Sequence, residues 1–244
     1  GFAPKNISVS ALKERGYSKI PSYGVIPVNV PGAPAGWVAL NKKFGQLSLE
    51  ECMSQGISYA ENGYAVQPNV GRLWDEAFHI YSKFKDSEEF SGWFKTFAPD
   101  NRPLKIGEVF RNQDMANTLR LIAKTNGEAF YTGELAEKID AFMKKYNGFL
   151  SIDDLAKFES EWVEPISVNY RGYDVWEIPP NGHGITVLMA LNILKGFDFV
   201  ERDTVETLHK QIEALKLSFI DTMEYITDPR FMKVTAEQLL SEEH

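Results

Sequence analysis

The chain has 244 residues, enough to bury a substantial core as one large domain or two small ones. Apolar residues make up 43% and charged residues 25%, with 26 Lys and Arg against 34 Asp and Glu, a formal charge of −8. That acidity, without a basic run, argues against a nucleic-acid backbone or an anionic membrane surface as partner. The longest apolar stretch, residues 185–194, is too short to span a bilayer. Cys52 is the single cysteine, which excludes an internal disulfide and a Cys-based metal site. That leaves cytoplasmic and periplasmic or secreted locations both open, and the start "GFAPKN", with no initiator Met and no signal-like segment, reads as a processed product or an engineered end.

Residues 20–36, "IPSYGVIPVNVPGAPAG", carry four prolines and are expected to be extended and turning, as an edge strand or loop and not a helix. Ser48 and Glu51 have capping-box spacing ahead of Leu49, Cys52, Met53, Ile57 and Ala60, with Gly63 as a stop. A second stripe, from Val70 through Trp74 and Phe78 to Phe84, follows Pro68. Shorter helices are expected near 87–95, around Met115–Ala123, around Leu135–Met143, and behind Ser151 and Asp154 through Phe158. The period then changes. Ile166, Val168 and Tyr170 alternate with polar residues, Arg171-Gly172 forms a turn, and Tyr173, Val175 and Trp176 continue extended until Pro179-Pro180. Helices follow at about 184–195 and from about Thr204. The latter presents Val205, Leu208, Ile212, Leu215, Phe219, Met223 and Ile226 as one stripe up to Asp228-Pro229.

The sequence carries little recognisable chemistry. There is no Walker loop, no HExxH and no Gly-x-Ser-x-Gly elbow. His79 and His209 fall inside helical stripes, where a half-buried structural role is expected. His183 stands between Gly182 and Gly184, which lets the backbone approach a ligand, and imidazole works near neutral pH. The other reading is a strand-to-helix corner in which glycine supplies φ > 0. Asp153-Asp154 and Glu88-Glu89 sit in first helical turns and offset the helix dipole. The five tryptophans show no clustering along the chain and read as core or interface aromatics. From its residues alone the chain is a helical module carrying a hairpin, without a self-sufficient active site.

An ordered set of stretches nevertheless resembles the large-subunit part of the gamma-glutamyltranspeptidase family, including its acylase-like branch. They are "VPGAPAGW" (30–37), "YAENGYAV" (59–66), "GEAFYTGELAEKI" (127–139), "SIDDLAKF" (151–158), "EPISVNYRGYDVWEIPPNGHG" (164–184), "ALNILKGFD" (190–198) and "EALKLSFIDTMEYITDP" (213–229). The resemblance implies an N-terminal-nucleophile hydrolase that cleaves its own precursor. A freed threonine, with its α-amino group as base, attacks a gamma-glutamyl or related side-chain amide and passes the acyl group to water or an amine. It implies no cofactor and no metal, a small-subunit partner carrying that threonine together with a missing upstream segment, and a small amide substrate. The family's catalytic residues find no match here. Ala3-Pro4 match a pair that follows a substrate-binding arginine, whose position would precede Gly1. The loop Asn181, Gly182, His183 and Gly184 corresponds to the family's strand-to-helix corner and is the candidate site-lining segment.

These readings combine into definite expectations. The fold is mainly α with a small β component, the hairpin and its helices belonging to an αββα sandwich. The organisation is an extended Pro/Gly-rich lead-in over 1–47, a helical domain over 48–163, and the hairpin with following helices over 164–244. The function is that of a large-subunit fragment of a gamma-glutamyltransferase or hydrolase, inactive alone. The alternatives are a cephalosporin or glutaryl-type acylase of the same family, or a stand-alone helical scaffold. The open hairpin edge predicts self-association of the isolated chain.

Overall fold

The computed structural model describes residues 2–244 and falls into two compact units, Gly1–Ser160 and Glu161–His244. Helices dominate both, and each unit adds one two-stranded antiparallel sheet. Among the described residues no helix is long and apolar enough to cross a membrane.

The first unit opens with α1 (Val9–Glu14) and α2 (Ala33–Phe44), so the lead-in over 1–47 is not extended throughout. The helix that was not expected before residue 37 begins at Ala33, with Pro34 in its first turn, where the missing N–H costs nothing. No strand forms between them. The prolines leave too few donors for a ladder, and side chains from elsewhere serve the backbone instead. Val25 N–H donates to Glu89 Oε1 at 2.7 Å, and the Tyr131 hydroxyl donates to the Pro31 carbonyl at 2.7 Å. Val25, Ile26 and Val30 are buried in a core shared with Ala136, Met143, Phe149, Leu150 and Leu155, which makes this segment part of the core.

The helix α3 (Leu49–Asn62) starts with the expected capping box: Ser48 Oγ accepts Glu51 N–H at 3.2 Å, and Glu51 Oε2 accepts Ser48 N–H at 2.8 Å. The chain continues through β1 (Tyr64–Ala65), α4 (Pro68–Tyr81), short 3₁₀ turns at Ser82–Phe84 and Glu88–Phe90, and α5 (Ser91–Phe97). β2 (Val109–Phe110) pairs with β1, Tyr64 opposite Phe110, ahead of α6 (Gln113–Lys124), which packs along α3. Next come α7 (Glu128–Tyr131), α8 (Glu134–Lys145) and α9 (Ile152–Ala156), the last with a second capping box between Ser151 and Asp154. Trp74 and Trp93, far apart in sequence, meet in an aromatic cluster. Trp93 stacks on Tyr81 at 4.4 Å, and Trp74 meets Phe110 edge-on at 4.8 Å. Both tryptophans are half-buried among other rings, as core aromatics, while Trp37, Trp162 and Trp176 are exposed.

In the second unit β3 (Ile166–Tyr170) and β4 (Tyr173–Glu177) form the expected hairpin, registered from Ile166–Glu177 to Tyr170–Tyr173. Arg171 and Gly172 both have positive φ, 55° and 87°, the combination that tight two-residue hairpins need. The Arg171 guanidinium, which donates to the Phe197 carbonyl at 2.8 Å, holds the less suited residue there. α10 (Gly184–Leu194) lies on the hairpin, with Ile185 and Met189 buried against Ile166 and Leu239. α11 (Val205–Tyr225) packs along α10, and α12 (Ala236–Leu239) closes the unit. The helix α11 forms where its period predicted, but its buried residues are Thr207, Ala214, Ser218 and Thr222. The apolar stripe does not face this core: Leu208, Ile212, Leu215, Phe219 and Met223 are exposed. Small side chains admit the close approach to α10 that the large ones would block.

Candidate functional site

The candidate loop is built by two elements meeting. β4 ends at Glu177, Pro179 and Pro180 carry no N–H to extend pairing, and α10 begins at Gly184. Asn181, Gly182 and His183 are exposed, and Gly184 is half-buried. His183 is the residue preceding the helix, at φ −85° and ψ 4°, and its carbonyl accepts Thr186 N–H at 3.0 Å. Its ring makes no hydrogen bond or ion pair among the described residues. The corner thus presents an imidazole and a carboxamide to solvent beside a helix N-terminus, groups able to exchange a proton or bind an acyl or carboxylate oxygen.

The reason for glycine here differs from the expectation. Neither Gly182 nor Gly184 has positive φ. What matters at Gly184 is space: a Cβ there would lie 2.9 Å from Glu177 Cβ and 2.8 Å from its Cδ, whereas one at Gly182 would meet nothing within 4 Å. Gly184 lets the first turn of α10 sit directly against the end of β4.

Other candidates resolve into structural roles. His79 and His209 are exposed and not half-buried; His79 Nδ1 lies 2.8 Å from the Asp75 carbonyl oxygen, one turn back on α4. Of the acid pairs, Glu88 accepts from Lys145 Nζ at 2.6 Å, Glu89 holds Val25, and Asp154 caps α9 while also accepting Lys5 N–H at 2.9 Å. Hydrogen bonds and charge from Lys145 hold the Glu88 carboxyl below its usual range. Cys52 is exposed. No group of three or more His, Cys, Asp or Glu side chains among the described residues is arranged to hold a metal.

Each unit also carries an open cavity. One of about 590 Å³ in the first unit is lined by Tyr17, Tyr23, Phe84, Phe90, Tyr146 and the Glu89 carboxylate. One of about 490 Å³ in the second brings together Ser241, His244 and Asp221. His244 Nε2 lies 3.2 Å from Asp221 Oδ2, but the Ser241 hydroxyl donates to the Gln238 carbonyl at 2.8 Å. That proton is directed away from the imidazole, so the trio is not arranged as a nucleophile with its base. No spacing in the sequence could have announced it, since α12 and the turn after it fold back to meet α11.

The described residues form mostly helical units, with a two-stranded hairpin under α10 and α11 packed along α10, and they assemble no nucleophile with its base. The chain belongs to the gamma-glutamyltranspeptidase family: the family model described as Gamma-glutamyltranspeptidase matches residues 1–244. It is 33% identical over 247 residues to the glutathione hydrolase-like YwrD proenzyme of Bacillus subtilis (strain 168), covering 100% of this chain and 46% of that protein. The crystal structure of cephalosporin acylase from Bacillus halodurans superposes with a TM-score of 0.96 at 52% identity, over 100% of this chain and 46% of that one. Helicobacter pylori gamma-glutamyltranspeptidase gives a TM-score of 0.88 at 28% identity, over 99% of this chain and 70% of that one. The chain thus spans under half the length of the first two relatives.

Proposed function

We propose that this chain is the large-subunit portion of an enzyme that cleaves gamma-glutamyl amides, glutathione-like ones among them, through an acyl-enzyme. The observation that carries this reading is the family match along residues 1–244 together with the 46% share of a relative named as a proenzyme. In this reading the nucleophile is the N-terminal threonine of a small subunit made from the same precursor. Its hydroxyl oxygen attacks the amide carbonyl, the α-amino group takes the hydroxyl proton, and that proton leaves with the departing amine. Water or a second amine then takes the acyl group and regenerates the threonine. The hairpin, α10 and α11 form part of an αββα sandwich completed by the small subunit, and Asn181–Gly184 line the site with His183 facing substrate. In isolation, the open edges of the hairpin favour self-association of the chain.

A second reading has its own support. The 52% identity to the Bacillus halodurans cephalosporin acylase favours an acyl group other than gamma-glutamyl within the same chemistry. Expression of the complete precursor separates the two. The expected result is self-cleavage into two chains, seen by intact mass, with the second beginning at threonine and the pair releasing chromophore from a gamma-glutamyl anilide. Turnover of a glutaryl cephalosporin amide instead would assign the acylase reading. The 244-residue chain alone is expected to turn over neither; steady turnover by it would overturn the missing nucleophile. His183→Ala in the complete enzyme should raise KM or lower kcat with the melting temperature unchanged, and full activity would remove His183 from the site.

A further inference from the structure

The pair Asn-Gly occurs four times, as Asn62-Gly63, Asn126-Gly127, Asn147-Gly148 and Asn181-Gly182. In this pair asparagine is chemically least protected. Glycine has no side chain to shield its backbone nitrogen, and that nitrogen can reach the side-chain carbonyl carbon of the asparagine before it. The attack needs a nitrogen whose N–H is not held by an acceptor, and a backbone free to bring the two atoms together.

Three of the four pairs follow or end helices and are held there. The Gly63 N–H donates to the Tyr59 carbonyl at 3.0 Å, Gly127 N–H to the Ile122 carbonyl at 2.9 Å, and Gly148 N–H to the Met143 carbonyl at 2.7 Å. These bonds satisfy the last carbonyls of α3, α6 and α8, so each nitrogen is committed to a helix end. Asn62 is tied further by its own carboxamide, which donates to Ser58 Oγ at 3.2 Å. Asn181-Gly182 differs in every respect. It lies exposed between β4 and α10. Neither the Gly182 N–H nor the Asn181 carboxamide makes a hydrogen bond among the described residues. The space about Gly182 is open, since a Cβ there would meet nothing within 4 Å.

We infer that Asn181 is a site of spontaneous modification, in which its carboxamide is lost as ammonia. The Gly182 nitrogen attacks Asn181 Cγ and gives up its proton, the side-chain amide leaves with a proton as ammonia, and a five-membered succinimide closes. Water then adds to either ring carbonyl, leaving aspartate or isoaspartate at 181; no oxidant or reductant takes part. The product carries a new negative charge two residues before His183, and the isoaspartate form lengthens the backbone just ahead of α10. A consequence for turnover rests on the reading of this loop as site-lining: there the new carboxylate would oppose an anionic gamma-glutamyl substrate.

The test ages the assembly produced from the complete precursor at mildly alkaline pH and warm temperature, then maps its peptides by mass spectrometry with isoaspartate resolved by chromatography. All four pairs are read in one digest. Asn181 should convert at least several-fold faster than Asn62, Asn126 and Asn147, and the difference should vanish when the protein is aged unfolded in urea. Gly182→Ala should slow conversion several-fold at an unchanged melting temperature, because its Cβ enters open space. Conversion of Asn181 no faster than the other three in the folded protein would overturn the inference, as would undiminished conversion in Gly182→Ala. Mass and activity separate the two readings. Conversion of Asn181 with gamma-glutamyl turnover unaffected supports the modification and removes Asn181 from the lining of the site.

Discussion

Between α10 and α11 lies a buried hydroxyl pair whose energetics can be worked out from proton counting. Thr186 and Thr222 are each 2% exposed, and their Oγ1 atoms are 2.7 Å apart. The Thr222 hydroxyl already donates to the Ser218 carbonyl at 2.7 Å, one turn back along α11. Its single proton is used there, so the proton between the two side chains comes from Thr186. Thr222→Val, close to isosteric and of similar helix propensity, leaves the Thr186 hydroxyl buried without its acceptor and should cost about 1–3 kcal/mol. Thr186→Val removes only a bond that Thr222 accepts, for about 0.5–1.5 kcal/mol. With both changed, no polar group is stranded, and the double variant should be clearly more stable than the sum of the singles implies. Urea unfolding followed by the fluorescence of Trp162 and Trp176, both within this unit, gives all three values. Additive effects, or a larger loss from Thr186→Val than from Thr222→Val, would refute the proton assignment.

Three further outcomes are expected. Ser48→Ala removes one arm of the α3 capping box and should destabilise the first unit by about 1 kcal/mol in urea unfolding followed at Trp74 and Trp93, which lie in that unit. Gly184→Ala should destabilise by about 1–3 kcal/mol through the clash with Glu177, and less so in a Glu177→Gly background, which removes the Cβ as well; an equal loss in both backgrounds would mean that backbone conformation, not space, dictates the glycine. Glu108 accepts from Arg102 at 2.8 and 3.0 Å and from Lys105 N–H at 2.8 Å, bonds that lower its pKa from 4.5 to about 2. A carboxylate with a lowered folded-state pKa contributes stability that is complete above 4.5 and lost as pH falls toward 2. Glu108→Gln should therefore lower the melting temperature at neutral pH and converge with the parent at the acid end.

How far the sequence could be read depended on the range of the interaction. Ser48 with Glu51 and Ser151 with Asp154 are contacts three residues apart, and both capping boxes form where the spacing places them. The hairpin follows likewise from alternation and the Arg171-Gly172 turn. Residues 20–36 were harder, because proline has opposite meanings inside a helix and in its first turn. Pro34 proved to be the second kind, and the segment's burial depends on Glu89 and Tyr131, some 64 and 100 residues distant in their hydrogen bonds. For α11 the period located the helix but could not say which face its neighbour would take. α10 accepts Ala214, Ser218 and Thr222 because it needs proximity more than bulk. At the candidate loop the strand-to-helix corner was foreseen, yet the reason for Gly184 is steric and lies in Glu177, seven residues earlier on another element.

The hairpin is fastened at both ends. At its turn, Arg171 is tied to the Phe197 carbonyl beyond α10; at its open end, Ile166 packs with Ile185 and Met189 while Glu177 abuts Gly184. Between them the Val168–Val175 pair fixes the middle of the ladder. Sliding either strand by one residue would turn every inward side chain outward and break both fastenings together. The pair is therefore a template with its reading frame already set. A strand added to either free edge has one alignment in which its alternation matches, so the order in which further strands arrive need not determine where they end up.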